Sequence, residues 1–372
     1  MTKTAIGSEP IALLPLFYAG KFALGEEKMK NQAAFLMGIK QMEIRDIPMP
    51  VCGDNEVVTR SDYIGVCGSD CHFYEDGKIG TNVATPPFIL GHEYSGTIIE
   101  AGKNVRNVKV GDRVALEPGI ACGHCHFCNT GRYNLCESMR FPSSPPADGF
   151  FCRYVAHPGH LAFKLPDSVS SLNGALVEPL VVGLYSAIQG EVELGKTVVI
   201  LGGGCIGLTT LLACRQRQAS CIIVTDLYDS RLEKAKALGA HHVVNASKVN
   251  PIDAIKEITG GRGADVVLEA AGSQHTALQS AYVVARGGRI VIIGVIVGDI
   301  PFNLREMNRK EADLKTIWRY RNAYPLAIKA IEEGYINLDG IVSNTFDFED
   351  TKKAFDAAIS DKENVIKAAV KF

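Results

Sequence analysis

Four cysteines within a short stretch form the most specific chemical motif of the sequence. Their spacing is C-x2-C-x2-C-x7-C, at Cys122, Cys125, Cys128 and Cys136. Four thiolates make a complete tetrahedral ligand set for a structural zinc ion and leave no position open for a substrate. Iron–sulfur clusters also take four cysteines, usually with a different spacing and often with a following proline, and unmetallated thiols are the remaining alternative. The spacing therefore favours structural zinc.

A glycine-rich turn predicts a dinucleotide site. The stretch from Gly202 to Gly207 fits G-x-G-x-x-G, and it lies between the continuous apolar run 197–201 and a helical stretch. In such a turn Gly202 permits the tight bend, Gly204 lets backbone N–H groups approach a pyrophosphate, and Gly207 lets helix and strand pack closely. A glycine turn without a ligand is the alternative.

The choice of cofactor is predicted from the end of the next strand. Asp226 ends the apolar run that follows the helical stretch. A carboxylate there could accept hydrogen bonds from the adenosine ribose and would repel a 2′-phosphate, so NAD is predicted over NADP. Arg231 is expected to lie over the adenine.

Other residues with metal-binding side chains are spread through the first half of the chain. Cys67 lies in G-V-C-G-S-D-C-H, His92 and Glu93 lie in G-H-E-Y-S-G, and Glu178 lies in V-E-P-L. A lone cysteine is usually a small buried hydrophobic residue, and a lone glutamate is usually a solvated charge. Taken one at a time, these residues leave their role open.

The elements that must position these residues differ between the two halves of the chain. From about residue 32 to 183, glycine and proline interrupt short apolar runs, which predicts a β-rich domain. From about residue 195, continuous apolar runs alternate with helical stretches, which predicts an α/β domain with a parallel, doubly wound sheet. The amphipathic segments 324–333 and 350–359 and a short strand at 365–370 are expected to return to the first domain.

The predicted organisation has four parts. They are an N-terminal extension (1–28), a β-rich zinc-binding domain (29–182), a dinucleotide domain (183–318) and the return to the β-rich domain (319–372). Segment 11–20 is the nearest candidate for a signal peptide, but the flanking charge is weak, so an extension is the preferred interpretation.

Composition excludes several functional classes. A net charge of −2 leaves no basic excess for a nucleic-acid partner, and no apolar run approaches the ~20 residues needed to cross a bilayer. The eleven cysteines are an odd number in a long chain, which is unlike a disulfide scaffold and favours a reducing compartment, the cytoplasm.

Together these motifs resemble the zinc-dependent medium-chain alcohol dehydrogenases. The family signature G-H-E-x2-G-x5-G-x2-V is matched from Gly91 to Val105, and the C-G-S-D-x-H stretch, the four cysteines and the dinucleotide fingerprint follow the family's order. The resemblance covers roughly residues 30 to 372. It implies a GroES-like β-rich catalytic domain, a Rossmann NAD domain and, beside the structural zinc, a catalytic zinc between them.

Within that family the chain is most similar to the polyol dehydrogenases, which act on sorbitol, L-iditol or xylitol. Glu178-Pro179-Leu180 stands where many alcohol dehydrogenases have a cysteine ligand, and the stretches 145–151 and 318–325 also match. The animal sorbitol enzymes usually lack the structural zinc cysteines, which this chain has.

The resemblance implies roles for individual residues. The implied ligands of the catalytic zinc are Cys67, His92 and a carboxylate from Glu93 or Glu178. Asp70 is implied to orient His92, and Ser69 and His72 are implied to relay a proton to solvent. The implied substrate contacts are Phe141, Arg319 and Tyr320. Arg319 could instead reach the nicotinamide ribose, and Ile206 and Val295 complete the implied cofactor contacts.

The sequence therefore predicts reversible oxidation of a secondary alcohol of a polyol to a ketose, with hydride transfer to NAD. A 2,3-butanediol or threonine dehydrogenase of the same family is one alternative, and a non-catalytic protein that binds NAD and zinc is another. The expected partner is a small molecule rather than a nucleic acid or a membrane. A homotetramer is the family expectation, and a dimer is the alternative.

Overall fold

The β-rich part of the chain consists of short strands separated by turns, as its glycine and proline content predicts. The computed structural model describes residues 29–300 and 302–372, so the predicted extension, residues 1–28, lies outside the described residues. The elements are β1 (Asn31–Gly38), β2 (Gln41–Ile47), β3 (Glu56–Gly65), α1 (Gly68–Asp76), β4 (Lys78–Ile79), β5 (Asn82–Val83), β6 (Phe88–Ile89), β7 (Glu93–Ala101), β8 (Arg113–Leu116), α2 (His126–Asn129), β9 (Tyr154–Pro158), β10 (Ala162–Lys164) and α3 (Ser171–Ala175). Short 3-10 helices lie at Tyr133–Leu135 and Gly159–Leu161.

The second part alternates strand and helix. Its elements are α4 (Val177–Gln189), β11 (Thr197–Leu201), α5 (Cys205–Gln216), β12 (Cys221–Asp226), α6 (Asp229–Ala237), β13 (His242–Asn245), α7 (Pro251–Ile258), β14 (Ala264–Glu269), α8 (Gln274–Val283), β15 (Val284–Ile292), α9 (Leu304–Lys310) and β16 (Asp313–Thr316). The strand order is β13-β12-β11-β14-β15-β16, and all neighbours are parallel. This order is that of a Rossmann sheet, so the predicted fold of this part is confirmed. Helix α4 runs through the predicted boundary at residue 183.

The last segment returns to the β-rich part. Its elements are α10 (Tyr324–Glu332), β17 (Asn344–Asp347), a 3-10 helix (Phe348–Asp350), α11 (Thr351–Ser360) and β18 (Ala368–Lys371). The strand expected at 365–370 begins only at Ala368, because the Val365 N–H is bonded to the Asp361 carbonyl in the turn after α11. β18 pairs antiparallel with β3, and the resulting sheet has the order β10-β8-β7-β3-β18-β17, with β9 also on β3.

Three hydrophobic clusters hold these elements in place. Side chains alternate along the parallel strands, so Val198 and Ile200 pack on one face with α4, α5 and α10, whereas Val199 and Leu201 pack on the other with α7 and α8. A third cluster fills the β-rich part and includes Phe355 of α11. Among the described residues, no helix is both long and apolar enough to span a membrane.

Candidate metal and dinucleotide sites

Cys67, His92 and Glu93 meet because two neighbouring strands place their ends side by side. β3 and β7 pair antiparallel with Gly65 opposite Glu93, so the residues just after β3 lie beside the start of β7. One ligand atom from each of the three side chains lies within 4.8 Å of the other two. A thiolate, an imidazole and a carboxylate are a donor set that suits zinc and leaves a fourth position open.

The Glu93 carboxylate is held by Lys367, a residue that no sequence motif singles out. Lys367 Nζ lies 2.7 and 2.8 Å from the two carboxylate oxygens and 3.0 Å from the Val66 carbonyl oxygen, to which it donates. The two side chains are 4 % and 0 % exposed. Burial alone would lower the pKa of Lys367, but Cys205 and Glu93 hold it above its usual value. Lys367 thus provides a buried cationic partner for the Glu93 carboxylate.

Asp70 lies behind His92. His92 Nδ1 is 3.4 Å from Asp70 Oδ1, which also accepts hydrogen bonds from the Ser143 hydroxyl and the Gly91 N–H. Burial would raise the pKa of Asp70, but His92, Ser143 and Gly91 hold it below its usual value. With Nδ1 turned toward this carboxylate, Nε2 is the ring nitrogen that could bind a metal.

Glu178 is close to this group but does not join it. It lies buried in the first turn of α4, and its oxygens are not among the ligand atoms that meet within 4.8 Å. Burial raises the pKa of Glu178 to about 7, against the opposing effect of His92. Burial and the neighbouring Glu178 also raise the pKa of Tyr320 well above its usual value. The Tyr320 hydroxyl has no hydrogen-bond partner within the described part of the chain.

Helix α1 connects the metal-binding group with the surface. The Ser69 hydroxyl donates to Cys67 Sγ at 3.3 Å. His72 follows one turn later, with 42 % of its side chain exposed and its Nδ1 3.9 Å from Asp76 Oδ2. The two residues could thus carry a proton from the buried group toward solvent.

Two predicted substrate-contact residues, Phe141 and Arg319, lie beside His92. The Arg319 guanidinium lies 4.0 Å from the centre of the Phe141 ring, and that ring lies 5.4 Å from the His92 ring. Burial lowers the pKa of Arg319 to about 10, which leaves it charged at neutral pH. The structure therefore gathers Phe141, Arg319 and Tyr320 beside His92 and Glu178.

The four remaining ligand candidates form a separate group. Cys125 lies just before α2, and the sulfurs of Cys122, Cys125, Cys128 and Cys136 lie within 4.8 Å of one another. Cys128 Sγ is 3.5 Å from Cys125 Sγ and 3.9 Å from Cys122 Sγ. A tetrahedron with Zn–S bonds of about 2.3 Å has edges of about 3.8 Å, so the sulfurs fit a single zinc ion. We call residues 122–136 the four-cysteine lobe.

The dinucleotide fingerprint forms a glycine-lined turn between β11 and α5, here called the cradle. Gly202 has a φ of +111°, and a Cβ on Gly207 would overlap the Gly202 carbonyl oxygen, so a larger residue at either position would disrupt the turn. Asp226 Oδ2 accepts a hydrogen bond from Gly203 N at 2.7 Å, which fixes the carboxylate at the edge of the cradle. The Arg231 guanidinium lies 3.7 Å from Asp226.

The other predicted cofactor residues lie on the same edge of the parallel sheet. Ile206 is in the first turn of α5, which begins directly after Gly204. Val295 follows β15, and its backbone lies against Gly272, which follows β14. Dinucleotides bind at the carboxyl ends of the strands in such sheets, so these residues surround the expected position.

Comparison with known proteins gives the family. Residues 53–167 match the alcohol dehydrogenase GroES-like domain, and residues 205–333 match the zinc-binding dehydrogenase domain. Sorbitol dehydrogenase of Bacillus subtilis is 40 % identical over 341 residues, which are 91 % of this chain and 96 % of that protein. This chain belongs to the zinc-binding alcohol dehydrogenases.

Solved structures of zinc-binding alcohol dehydrogenases and related enzymes agree with this assignment. An Escherichia coli oxidoreductase of unknown specificity superposes with a TM-score of 0.89 at 40 % identity, covering 92 % of this chain and 99 % of that one. The 2R,3R-butanediol dehydrogenase of Bacillus subtilis superposes with a TM-score of 0.84 at 33 % identity, with the same coverage. The predicted family resemblance, the fold class and the use of zinc and NAD are confirmed.

Some residues of this zinc-binding alcohol dehydrogenase could not be found by its motifs. Lys367 reaches Glu93 only because β18 pairs with β3, a contact between residues about 300 positions apart. Tyr133 and Asn134, inside the four-cysteine lobe, contact the loop that carries Arg319. Tyr133 also donates a hydrogen bond to Glu117 at 2.8 Å. The only available sequence signal was the position of Tyr133 and Asn134 next to a predicted metal ligand.

Proposed function

We propose that this enzyme oxidises a secondary alcohol of a polyol to a ketose and transfers the hydride to NAD. The observation that carries the proposal is the position of Arg319, Tyr320 and Glu178 beside the metal-binding group. A cationic donor, a buried hydroxyl and a buried carboxyl in one place could bind several hydroxyl groups of a substrate. The identity of 40 % with a sorbitol dehydrogenase supports the same substrate class.

In this proposal Cys67, His92 and Glu93 hold the catalytic zinc. Asp70 orients His92, and the Glu178 carboxyl, which stands outside the group, binds a hydroxyl of the substrate. When bound, zinc would act as a Lewis acid that lowers the pKa of the substrate alcohol. A structural zinc would be held by the four thiolates of Cys122, Cys125, Cys128 and Cys136.

The reaction releases one proton for each hydride that NAD accepts, and α1 offers a path for it. In this proposal the Ser69 hydroxyl, next to Cys67, accepts the proton of the alcohol as it gives up its own, and that proton reaches solvent by way of His72. The carbon-bound hydrogen leaves with its electron pair for the nicotinamide. Asp226 supports NAD over NADP, because the fixed carboxylate would repel a 2′-phosphate.

A panel of substrates tests the proposal. We would measure kcat/KM for sorbitol, xylitol, ribitol, 2,3-butanediol and threonine, each with NAD and with NADP. The proposal expects the highest value for a polyol with NAD. A highest value for threonine would overturn it. Absence of turnover by zinc-loaded enzyme with every alcohol would favour the non-catalytic alternative.

A matched variant tests the role of Arg319. If its guanidinium binds substrate hydroxyls, Arg319→Leu should lower kcat/KM for sorbitol more than for 2,3-butanediol, which has fewer hydroxyls to bind. If Arg319 instead contacts the nicotinamide ribose, the variant should lower both values equally and raise the KM for NAD.

A 2,3-butanediol dehydrogenase is the second candidate, supported by the likeness to the Bacillus subtilis enzyme at 33 % identity. The two candidates share the zinc and NAD sites, so the substrate panel separates them. The tetramer, with the dimer as alternative, and the cytoplasmic location stay predictions.

A further inference from the structure

We propose that the four-cysteine lobe positions the substrate-binding side of the active site. Tyr133 and Asn134 hold the segment from Trp318 to Asn322, here called the 318–322 segment, so that loss of metal from the lobe weakens binding of the alcohol. The role of the lobe as a clamp stands on contacts alone, whereas its effect on a polyol rests on the proposed function.

Three hydrogen bonds join the lobe to the 318–322 segment. Asn134 donates from Nδ2 to the Trp318 carbonyl oxygen at 2.9 Å and accepts at Oδ1 from the Arg321 guanidinium at 3.2 Å. Tyr133 accepts at its hydroxyl from the Asn322 N–H at 2.7 Å. Asn134 is only 3 % exposed, so its two bonds are largely shielded from water. The donor and the acceptor of the Asn134 amide, and the acceptor of the Tyr133 hydroxyl, are thus bonded to a segment more than 180 residues away.

The 318–322 segment needs such support because its backbone is strained. Arg319 has a φ of +53° and Asn322 a φ of +54°, both in the left-handed region. Asparagine adopts this conformation readily but arginine rarely does, so Arg319 persists there only when its surroundings hold it. The bonds from the lobe involve Trp318 and Asn322, which flank the strained Arg319.

The strained segment presents its side chains to the active site. The Arg319 guanidinium stacks on Phe141, whose ring lies beside His92. Tyr320 lies fully buried next to Glu178. A shift of the segment backbone would therefore move both of these groups relative to the metal-binding residues.

Tyr133 and Asn134 lie close in sequence to a metal ligand of the lobe. Tyr133 and Asn134 lie in the 3-10 helix Tyr133–Leu135, and Cys136 follows it directly. Cys136 Sγ also accepts a hydrogen bond from Cys122 N at 3.3 Å, so the two ends of the lobe meet at this sulfur. Without a metal, four neighbouring thiols have no common bond to hold this turn closed. Metal in the lobe and the conformation of the segment are thereby linked.

Asn134→Ala is the first test. It removes two of the three bonds and leaves all zinc ligands in place. We expect the KM for the best polyol to rise about tenfold while kcat changes about twofold or less, because the loss is in substrate positioning. Asn134→Asp keeps an acceptor for Arg321 but loses the donor to Trp318, so it should restore part of the affinity. The matched control is Asn129→Ala, which removes a hydrogen bond from the side-chain amide to the His124 carbonyl oxygen within the lobe.

A second measurement needs no substrate. Trp318 is the single tryptophan of the chain, so its fluorescence anisotropy decay reports on the segment itself. Asn134→Ala should increase the amplitude of its fast motion, and Asn129→Ala should leave it unchanged. Cys125→Ser, with zinc content measured by mass spectrometry and folding by circular dichroism, should increase it as well.

The outcomes separate the two proposals. Unchanged Trp318 anisotropy and unchanged KM in zinc-loaded Asn134→Ala would overturn the clamp, even if Cys125→Ser fails to fold. If the wild-type enzyme oxidises no polyol but Trp318 responds as expected, the clamp stands and the polyol assignment fails.

Discussion

Gly65 and Glu93 face each other across β3 and β7, and the Glu93 carboxylate occupies the space that a Cβ at position 65 would take. The missing side chain at Gly65 leaves room for this carboxylate beside Lys367 and within reach of Cys67 and His92. The glycine that ends β3 is thus a requirement of the site, because the Glu93 carboxylate approaches its backbone closely.

Gly65→Ala should therefore displace Glu93. The added methyl group overlaps the carboxylate, so we expect the zinc content to fall from two ions per chain toward one, and kcat to fall by about 10- to 100-fold. Mass spectrometry of the metal content and steady-state kinetics would measure both. Gly38→Ala is the control, since its Cβ would make only an ordinary contact of 3.6 Å with Gln41. Two retained zinc ions in Gly65→Ala would contradict the steric argument.

Lys367→Met should strongly destabilise the metal-free enzyme. It leaves the Glu93 charge buried and unpaired, which typically costs about 3–5 kcal/mol of the free energy of unfolding. Urea denaturation after metal removal would measure this, and the double variant Lys367→Met with Glu93→Gln should regain much of the loss.

An exposed ion pair provides the comparison for Lys367. Lys352 is 2.7 Å from Asp356, but both side chains are about half exposed, so Lys352→Met should cost less than about 1 kcal/mol. Equal costs for the two lysines would mean that the buried pair contributes no more than a surface one.

Asp226→Asn should weaken the discrimination against NADP. The amide oxygen can still accept the Gly203 N–H bond, whereas the charge that repels a 2′-phosphate is removed. We expect the ratio of kcat/KM for NADP to that for NAD to rise about tenfold, equivalent to ~1.4 kcal/mol. Asp229→Asn, which removes an exposed partner of Lys248, should leave the ratio unchanged. An unchanged ratio in Asp226→Asn would place the discrimination in another residue.

Glu117 should make the stability of the enzyme depend on pH. Burial raises its pKa from 4.5 to about 7, although the hydrogen bond from Tyr133 opposes the shift. Between these two values the folded state binds more protons than the unfolded state, so the free energy of unfolding falls as the pH rises. Between pH 4.5 and 7, the free energy of unfolding should fall by about 3 kcal/mol less in Glu117→Gln than in the wild type. Parallel stability curves for the variant and the wild type would contradict the assignment.

The parts of the fold and site that the sequence predicted rest on local patterns. The strand from Thr197 to Leu201, the turn at Gly202 and the helix from Cys205 are adjacent in the chain, so periodicity and glycine spacing suffice to find them. The four cysteines are similarly close in sequence. Edge strand β16 was not predicted, because Asp313–Thr316 is short and largely exposed and lacks an apolar run.

The parts that could not be predicted depend on distant pairing. The three-residue metal-binding group was implied only by family resemblance, because its assembly requires the register of β3 on β7. Lys367 requires β18 on β3, and the bonds of Asn134 require a loop at residue 318. Single-sequence patterns carry no information on which distant strands become neighbours. Glu178 shows the same limit, since it lies near the metal-binding group without joining it.

The pairing of β3 with β18 has a consequence for synthesis. A nascent chain that has emerged as far as residue 360 contains every strand of the parallel sheet and all the cysteines, but not Lys367. Until that point the edge of β3 that pairs with β18, at residues 63–65, has no partner, and the Glu93 carboxylate lacks the Lys367 ammonium. The dinucleotide domain can thus fold before the active site is complete. The active site is completed only when β18 has been synthesised and has paired with β3.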